Sequence, residues 1–254
     1  MPFVRRPVMR RSFFEYHLYM NQVKPKTYIV GDVHGCSKEL ALLIGKMDLS
    51  HHATRVIFAG DLLDKGPDSA GVVRLVRELS ERVKVVLVKG NHEEKHERFR
   101  RHEFRISQEG GTNPIKKADE LRVIAKELSG EDVAFLEQAV LYCKVPEYNA
   151  LVVHAGIPMW VTSLPDLSKR PSRRYNELLR LRAFDEKGRF LTLEDYSKLS
   201  PAKREESFWA HRYDGRLGHV YFGHEPFMKG VGKFSHATGL DTGCCFGGSL
   251  TAIE

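Results

Sequence analysis

The stretch Gly60-Asp61-Leu62-Leu63-Asp64-Lys65-Gly66-Pro67 follows directly on an apolar, β-branched run at residues 55–59. This run predicts a strand that ends at Gly60, which places Asp61 where the strand passes into a loop. Open α/β sheets bind their ligands at this carboxyl edge of the strands. We therefore expect Asp61 to belong to a functional site at the edge of a sheet.

Two other apolar runs end in the same way. Residues 27–30 lead into Gly31-Asp32-Val33-His34-Gly35, and residues 83–89 lead into Gly90-Asn91-His92-Glu93. The three runs are about thirty residues apart, and βαβ units of that length place successive strands side by side. The sequence thus predicts an α/β fold with a parallel or mixed sheet, and one site assembled on neighbouring strand ends.

The spacing of hydrophobic residues and the positions of turn-forming residues predict the remaining helices and strands. Ser37 is expected to cap the helix after the first strand, and Ser129, with an acid at position 132, to cap a later helix through a capping box. The other predicted elements are a helix from about Asp68 to Arg82, a charged helix over 93–104, a hairpin of 141–145 and 150–154, and strands at 219–222 and 249–253.

Length and composition favour one large α/β domain. The chain has 254 residues, of which 42% are apolar and 29% charged, values typical of globular proteins. No run approaches the roughly 18 apolar residues that a membrane-spanning helix needs, so no membrane partner is expected. We divide the chain into an N-terminal arm at 1–26 and a domain at 27–254. A basic insertion around 158–206 is a candidate substrate-facing lid, or simply a solvated surface insertion.

Charge and cysteine usage limit the partners and the compartment. The net charge of +7 favours an anionic partner such as a polyphosphate, a nucleic acid or an acidic surface. The four cysteines lack CxxC spacing, which favours a reducing, cytoplasmic compartment. Four arginines precede the first acid, Glu15, so the arm is either a mitochondrial presequence or a plain tail.

The polar residues at the strand ends are typical of a two-metal centre. Hydrolysis of a phosphate ester needs charge neutralisation and an activated water, and two cations about 3.5–4 Å apart provide both. Asp61 is our candidate for the bridging carboxylate. Asp32 and His34 would complete one metal site, and Asn91, His154 and His224 the other. Oxygen and imidazole ligands favour two divalent ions, Mn²⁺ first, with Fe, Zn²⁺ or Co²⁺ as alternatives.

Three further residues are candidates for the chemistry. His92 stands beside a predicted ligand and can protonate the leaving oxygen, while Asp64 holds its other ring nitrogen. Lys65 and Asn91 can contact phosphate oxygens. The other histidines have no comparable context and are interpreted as surface or core residues: His17, His51, His52, His96, His102, His211, His219 and His236.

These motifs, together with His154-Ala155-Gly156 and Gly223-His224, resemble the phosphoprotein-phosphatase branch of the calcineurin-like metallophosphoesterases. Lys65-Gly66-Pro67 and the segment from Leu240 to Ala252 are similar to the symmetrical diadenosine tetraphosphate hydrolases. The resemblance implies a single-domain αββα two-sheet sandwich, two metals, and direct attack by a metal-bridging hydroxide without a phosphoenzyme. The family's metal ligands fall on the six residues named above, and its acid and partner fall on His92 and Asp64.

The resemblance also leaves alternatives open. Protein-phosphatase members have arginine at the position of Lys65, and the family's further phosphate-contacting arginine could correspond to Arg182 or Arg212, unless these have only a surface role. We expect hydrolysis of dinucleoside polyphosphates. The alternatives are a serine/threonine protein phosphatase, a phosphatase of inorganic polyphosphate or capped RNA, and an inactive scaffold that binds RNA or protein. The sequence does not indicate an oligomeric state.

Overall fold

Two β-sheets lie between layers of helices in the computed structural model, which describes residues 25–168 and 175–254. The strands are β1 Thr27–Val30, β2 Arg55–Phe58, β3 Lys84–Leu87, β4 Tyr142–Val145, β5 Ala150–Val153, β6 His219–Phe222, β7 Gly232–Lys233, β8 Ala237–Gly239 and β9 Ala252–Ile253. The helices are α1 Ser37–Ile44, α2 Ser69–Ser80, α3 Asn91–Glu109, α4 Ala118–Glu127, α5 Gly130–Glu137, α6 Leu164–Ser168, α7 Tyr175–Arg180, α8 Leu193–Lys198 and α9 Pro201–Ser207.

The first sheet has the strand order β3-β2-β1-β9 and the second has β4-β5-β6-β8-β7. Strands β1, β2 and β3 run parallel, and their last residues Val30, Phe58 and Leu87 stand level in the register. Strand β9 is antiparallel to β1, so the sheet is mixed, which is one of the two arrangements that we predicted. Because the parallel strands end level with one another, their three loops leave from the same edge.

Alternating residues of the strands divide the core into layers. Val30 and Phe58 pack with Val76 of α2 on the outer face of the first sheet. Ile29 and Ile57 face the other way and pack with Val152 of the second sheet and with Leu240, which directly follows β8. Successive side chains of a strand point to opposite faces, so one sheet serves two cores. A third cluster, which includes Leu151, Phe184, Trp209 and Phe222, covers the outer face of the second sheet, and the αββα sandwich is confirmed.

Some local predictions hold and others are wrong. Ser129 caps α5 with Asp132 in a capping box, as predicted. Ser37 is not a cap, because Cys36 occupies the N-cap position, without a capping side-chain hydrogen bond, and Ser37 is the first residue of α1. Strand β9 is shorter than predicted. Strands β7 and β8 were not predicted, since two or three residues are too few to show a period.

The basic insertion carries helices α6 to α9 and is partly built into the core. Leu178, Leu181 and Phe184 are buried against the second sheet, and Arg180 of α7 donates a 2.7 Å hydrogen bond to Glu94 of α3. Most of the N-terminal arm and Arg170, Arg173 and Arg174 lie outside the described residues. Within the described ranges, no helix is long and apolar enough to cross a bilayer.

Candidate metal centre

The loops after the strands adopt strained conformations where they carry the predicted site residues. His34, Asp61, Asp64, Lys65 and His224 all have positive φ angles, which non-glycine residues rarely adopt. Such strain concentrates at functional sites. Gly90 provides the space for Asp61, because a Cβ there would lie 2.1 Å from Asp61 Oδ1.

Asp61 lies at the centre of the cluster. Its Oδ2 atom is 3.5 Å from His34 Nε2 on one side and 3.5 Å from His154 Nε2 on the other. Ligand atoms of Asp61, His154 and His224 lie within 4.8 Å of one another, and the same holds for His34, Asp61 and His92. Asp61 thus belongs to both potential metal-binding groups, which is the position that a bridging carboxylate requires.

The remaining two predicted ligands join the same cluster. Asp32 Oδ2 lies 3.7 Å from His34 Nε2 and accepts a 3.0 Å hydrogen bond from the backbone N–H of His224. Asn91 Oδ1 lies 3.0 Å from His154 Nε2. The structure therefore brings together all six residues for which we predicted a metal-binding role.

The orientation of the ring nitrogens fits bound cations. His34 Nδ1 donates to the Leu63 carbonyl at 2.8 Å, and His154 Nδ1 donates to the Ala59 carbonyl at 2.9 Å. In the neutral ring, each Nε2 then carries a lone pair and faces the Asp61 carboxylate. Asp32 Oδ1 is buried and has no hydrogen-bond partner among the described residues. Facing acceptors in a buried site repel one another unless a cation lies between them.

The protonation states agree with this donor set. Burial lowers the pKa of His34 to about 4, and burial also lowers the pKa values of His154 and His224, which favours the neutral, metal-ligating ring. Burial opposes ionisation of Asp61, but His154, His92 and His34 outweigh it and lower the pKa of Asp61 overall. Asp32 is the exception, because burial and the neighbouring Asp241 and Asp61 carboxylates raise its pKa well above the usual value. A cation bound beside these carboxylates would favour the ionised form of Asp32.

His92 points towards the same centre and is held by Asp64. Its Nδ1 lies 2.5 Å from Asp64 Oδ2, and its Nε2 lies 3.9 Å from Asp61 Oδ2. Burial lowers the pKa of His92, but Asp61 and Asp64 outweigh this effect and raise the pKa overall. The geometry is that of a histidine fixed at one nitrogen and open at the other, although the role of His92 as an acid remains a prediction.

His96 and Glu93 are two supporting residues to which the sequence reasoning gave no role. His96 is fully buried, and its Nε2 lies 2.7 Å from the second Asp64 oxygen. Our interpretation of His96 as an ordinary surface or core residue is therefore incomplete. It lies one helical turn after His92, and this i, i+4 spacing is the signal that could have found it.

Glu93 is the second supporting residue, and it accepts hydrogen bonds from the backbone N–H groups of Asp61, Leu62 and Gly90. Burial and the Asp61 charge raise its pKa to about 7.

Two cationic side chains contact different histidines of the cluster. Lys65 Nζ is 2.8 Å from His34 Nε2, and Arg182 Nη1 is 2.6 Å from His224 Nε2. Arg182 also pairs with Glu225 at 2.6 Å. Arg212 is placed differently, because it donates to the Asp185 carbonyl and lies over the Phe184 ring. Among the described residues, the hydrogen bond and the ring contact of Arg212 are not made with any predicted metal ligand.

Comparison with known proteins identifies the family. The model of the family described as calcineurin-like phosphoesterase matches residues 25–228. The chain belongs to the calcineurin-like phosphoesterase family. It is 34% identical over 245 residues to the asymmetrical bis(5'-nucleosyl)-tetraphosphatase PrpE of Bacillus subtilis strain 168, covering 89% of each chain. It is 29% identical to the symmetrical bis(5'-nucleosyl)-tetraphosphatase of Psychromonas ingrahamii, with 90% of this chain and 92% of the relative covered.

Solved structures agree with this assignment. A crystal structure assigned as a diadenosine tetraphosphatase superposes with a TM-score of 0.65 at 27% identity, covering 91% of this phosphoesterase and 89% of the other chain. A cold-active protein-tyrosine phosphatase from a psychrophilic Shewanella superposes with a TM-score of 0.52 at 16% identity. The second match shows a shared fold only. Membership of the family implies divalent metal ions, and the donor set described above fits them.

Substitution of His96 tests whether it positions Asp64 and His92 in this phosphoesterase. His96→Leu is expected to lower kcat roughly 10–100-fold, the usual effect of losing a supporting contact at such a site, because one Asp64 oxygen then lacks its partner. His96→Gln can restore a donor near Nε2 and should recover part of the activity. The measurements are kcat, the pH profile of kcat and the metal content of each variant. Equal activity of the leucine and glutamine variants would contradict a positioning role of His96, since it would show that the hydrogen bond to Asp64 does not affect kcat.

Proposed function

We propose that this phosphoesterase hydrolyses dinucleoside polyphosphates such as diadenosine tetraphosphate, with two divalent cations of which Mn²⁺ is our first choice. The observation that carries the proposal is the position of Asp61 between the two histidine sets. The names of the relatives support the substrate class, because both symmetrical and asymmetrical bis(5'-nucleosyl)-tetraphosphatases align over about 90% of the chain. The net charge of +7 suits a substrate with several phosphates.

Each side chain of the site has a separate role in the proposed reaction. When bound, the two cations neutralise phosphate charge and lower the pKa of coordinated water. Asp61 joins the two groups of ligands, and Asp32, His34, Asn91, His154 and His224 complete them. His92 presents Nε2 to the leaving oxygen and transfers a proton to it. Asp64 holds the opposite nitrogen and stabilises the protonated ring.

Lys65 and Arg182 are the proposed phosphate-binding residues. Lys65 contacts His34 and Arg182 contacts His224, so a substrate with several phosphates could meet a positive charge beside each of the two histidine sets. Arg182 can bind two oxygens at once, whereas Lys65 acts as a point charge. Arg212 points to Asp185 and Phe184, which makes Arg182 the better candidate for the phosphate-contacting arginine.

The decisive experiment compares substrates with the Mn²⁺-loaded protein. Diadenosine tetraphosphate, a serine/threonine phosphopeptide, inorganic polyphosphate and capped RNA would be incubated in parallel, with the products separated by chromatography. We expect the highest kcat/KM for diadenosine tetraphosphate. Two ADP would indicate symmetrical cleavage, and ATP with AMP would indicate asymmetrical cleavage. Turnover of the phosphopeptide alone would overturn the proposal in favour of a protein phosphatase.

A further inference from the structure

We propose that Cys36, Glu39 and Cys244 form a second cation site, which takes a thiophilic divalent metal such as Zn²⁺. One sulfur or oxygen atom from each residue lies within 4.8 Å of the others. Two sulfurs and a carboxylate at this separation can converge on a single ion, in contrast to the oxygen and nitrogen donors around Asp61.

The donors come from two segments that are distant in sequence. Cys36 immediately precedes α1, and Glu39 lies in the first turn of that helix. An i, i+3 spacing brings the two side chains to the same side of the helix. Cys244 begins a short 3₁₀ turn, Cys244–Phe246, between β8 and β9. The fold therefore assembles the site, and the spacing of the cysteines in the sequence gives no sign of it.

Accessibility and ligand type both favour a thiophilic ion. Cys36 is buried, Cys244 is half-buried and Glu39 is exposed, so a cation can enter from solvent and retain a water as its fourth ligand. Protein-bound Zn²⁺ can be held by three protein ligands with a water in the fourth position. Thiolates select Zn²⁺ over Mn²⁺, whereas carboxylate-rich sites accept Mn²⁺ readily. The two centres would thus bind different metals in one chain.

Occupation of this site would fix two loops that border the first centre. Cys36 follows His34 by two residues, and its Sγ lies 3.7 Å from the His34 carbonyl oxygen. Cys244 follows Asp241 by three residues, and Asp241 is buried near Asp32. A cation held by both cysteines would tie the loop of His34 to the loop of Asp241. Its role would be to position these loops, and it would take no part in the hydrolytic reaction.

Cadmium titration followed by absorbance tests the site independently of hydrolysis. The 254-residue protein would be reduced with a phosphine, loaded with Mn²⁺ and titrated with Cd²⁺ while the near-ultraviolet sulfur-to-cadmium charge-transfer band is recorded. Histidine and carboxylate ligands give no such band, so the centre around Asp61 does not contribute. We expect a band that saturates at one Cd²⁺ per chain, disappears in Cys244→Ser, and saturates only at higher Cd²⁺ concentration in Glu39→Gln.

Cys143→Ser is the matched control, because Cys143 lies on β4 outside this cluster. Its band should equal that of the wild type. Cys36→Ser should also lose the band, but Cys244 is the decisive position because it is less buried and its variant should fold, as circular dichroism would verify. A missing band in the wild type, a band that survives Cys244→Ser, or one that disappears in Cys143→Ser would overturn the proposal. Hydrolytic inactivity with an intact band would instead count against the proposed function alone.

Discussion

Replacing Asp61 with asparagine is expected to lower kcat/KM for diadenosine tetraphosphate by about 10³-fold or more, because metal coordination is worth several kcal/mol to such a transition state. The substitution is nearly isosteric. Asparagine retains an oxygen to accept the 2.9 Å hydrogen bond from the His92 backbone N–H, but it removes the charge from the atom that lies 3.5 Å from both His34 and His154. The fold should persist while the bridge is lost.

Metal analysis separates this outcome from simple unfolding. The Asp61→Asn protein should contain at least one metal ion fewer per chain than the wild type, with an unchanged circular dichroism spectrum. Asp119→Asn is the matched control, since its carboxylate is 98% exposed on α4 and its loss should change neither activity nor metal content. If Asp61→Asn kept its full metal content, Asp61 could not be the bridge.

Replacing His92 with asparagine is expected to lower kcat for phenyl phosphate, whose leaving group is basic, by roughly 10²–10⁴-fold, the usual contribution of a general acid. His92 Nδ1 is fixed by Asp64 at 2.5 Å, and Nε2 faces the centre. Asparagine cannot supply an ionisable proton at the position of Nε2. The metal content should remain that of the wild type, in contrast to Asp61→Asn.

Two substrates with different leaving groups can show whether His92 acts as a general acid or only occupies space in the site. A weakly basic leaving group needs little protonation, so His92→Asn should slow p-nitrophenyl phosphate less than phenyl phosphate. Rates for both substrates in the wild type and the variant give this ratio directly. His102→Asn, which changes a histidine further along α3, should leave both rates unchanged. An equal loss for the two substrates would argue that His92 binds the phosphate and does not transfer the proton.

Together the two substitutions separate the metal centre from proton transfer. Asp61→Asn should remove metal and activity, while His92→Asn should remove activity alone. This distinction matters because His92 lies close enough to Asp61 to belong to a potential metal-binding group with His34. If metal were lost from both variants, His92 would have to be reassigned as a ligand.

Much of this protein could be predicted from local sequence. Short apolar runs that end in Gly-Asp or Gly-Asn predicted β1, β2 and β3 and the polar residues that follow them, because strand period and turn chemistry are properties of a few neighbouring residues. Level strand ends in a parallel sheet then bring those residues to one edge. The two-sheet arrangement came from the resemblance of the motifs to a family, since no local pattern specifies how two sheets pack.

Only the tertiary structure decided the contacts between distant segments. It placed Arg182 against His224 and Arg212 against Asp185, although both arginines were equal candidates in the sequence. It placed His96 against Asp64, and it brought Cys36 to Cys244 across more than 200 residues. Side-chain partners of this kind depend on the packing of whole elements and on the direction of each side chain. The hydrophobic pattern of the sequence between two such residues predicts neither how the elements pack nor where each side chain points.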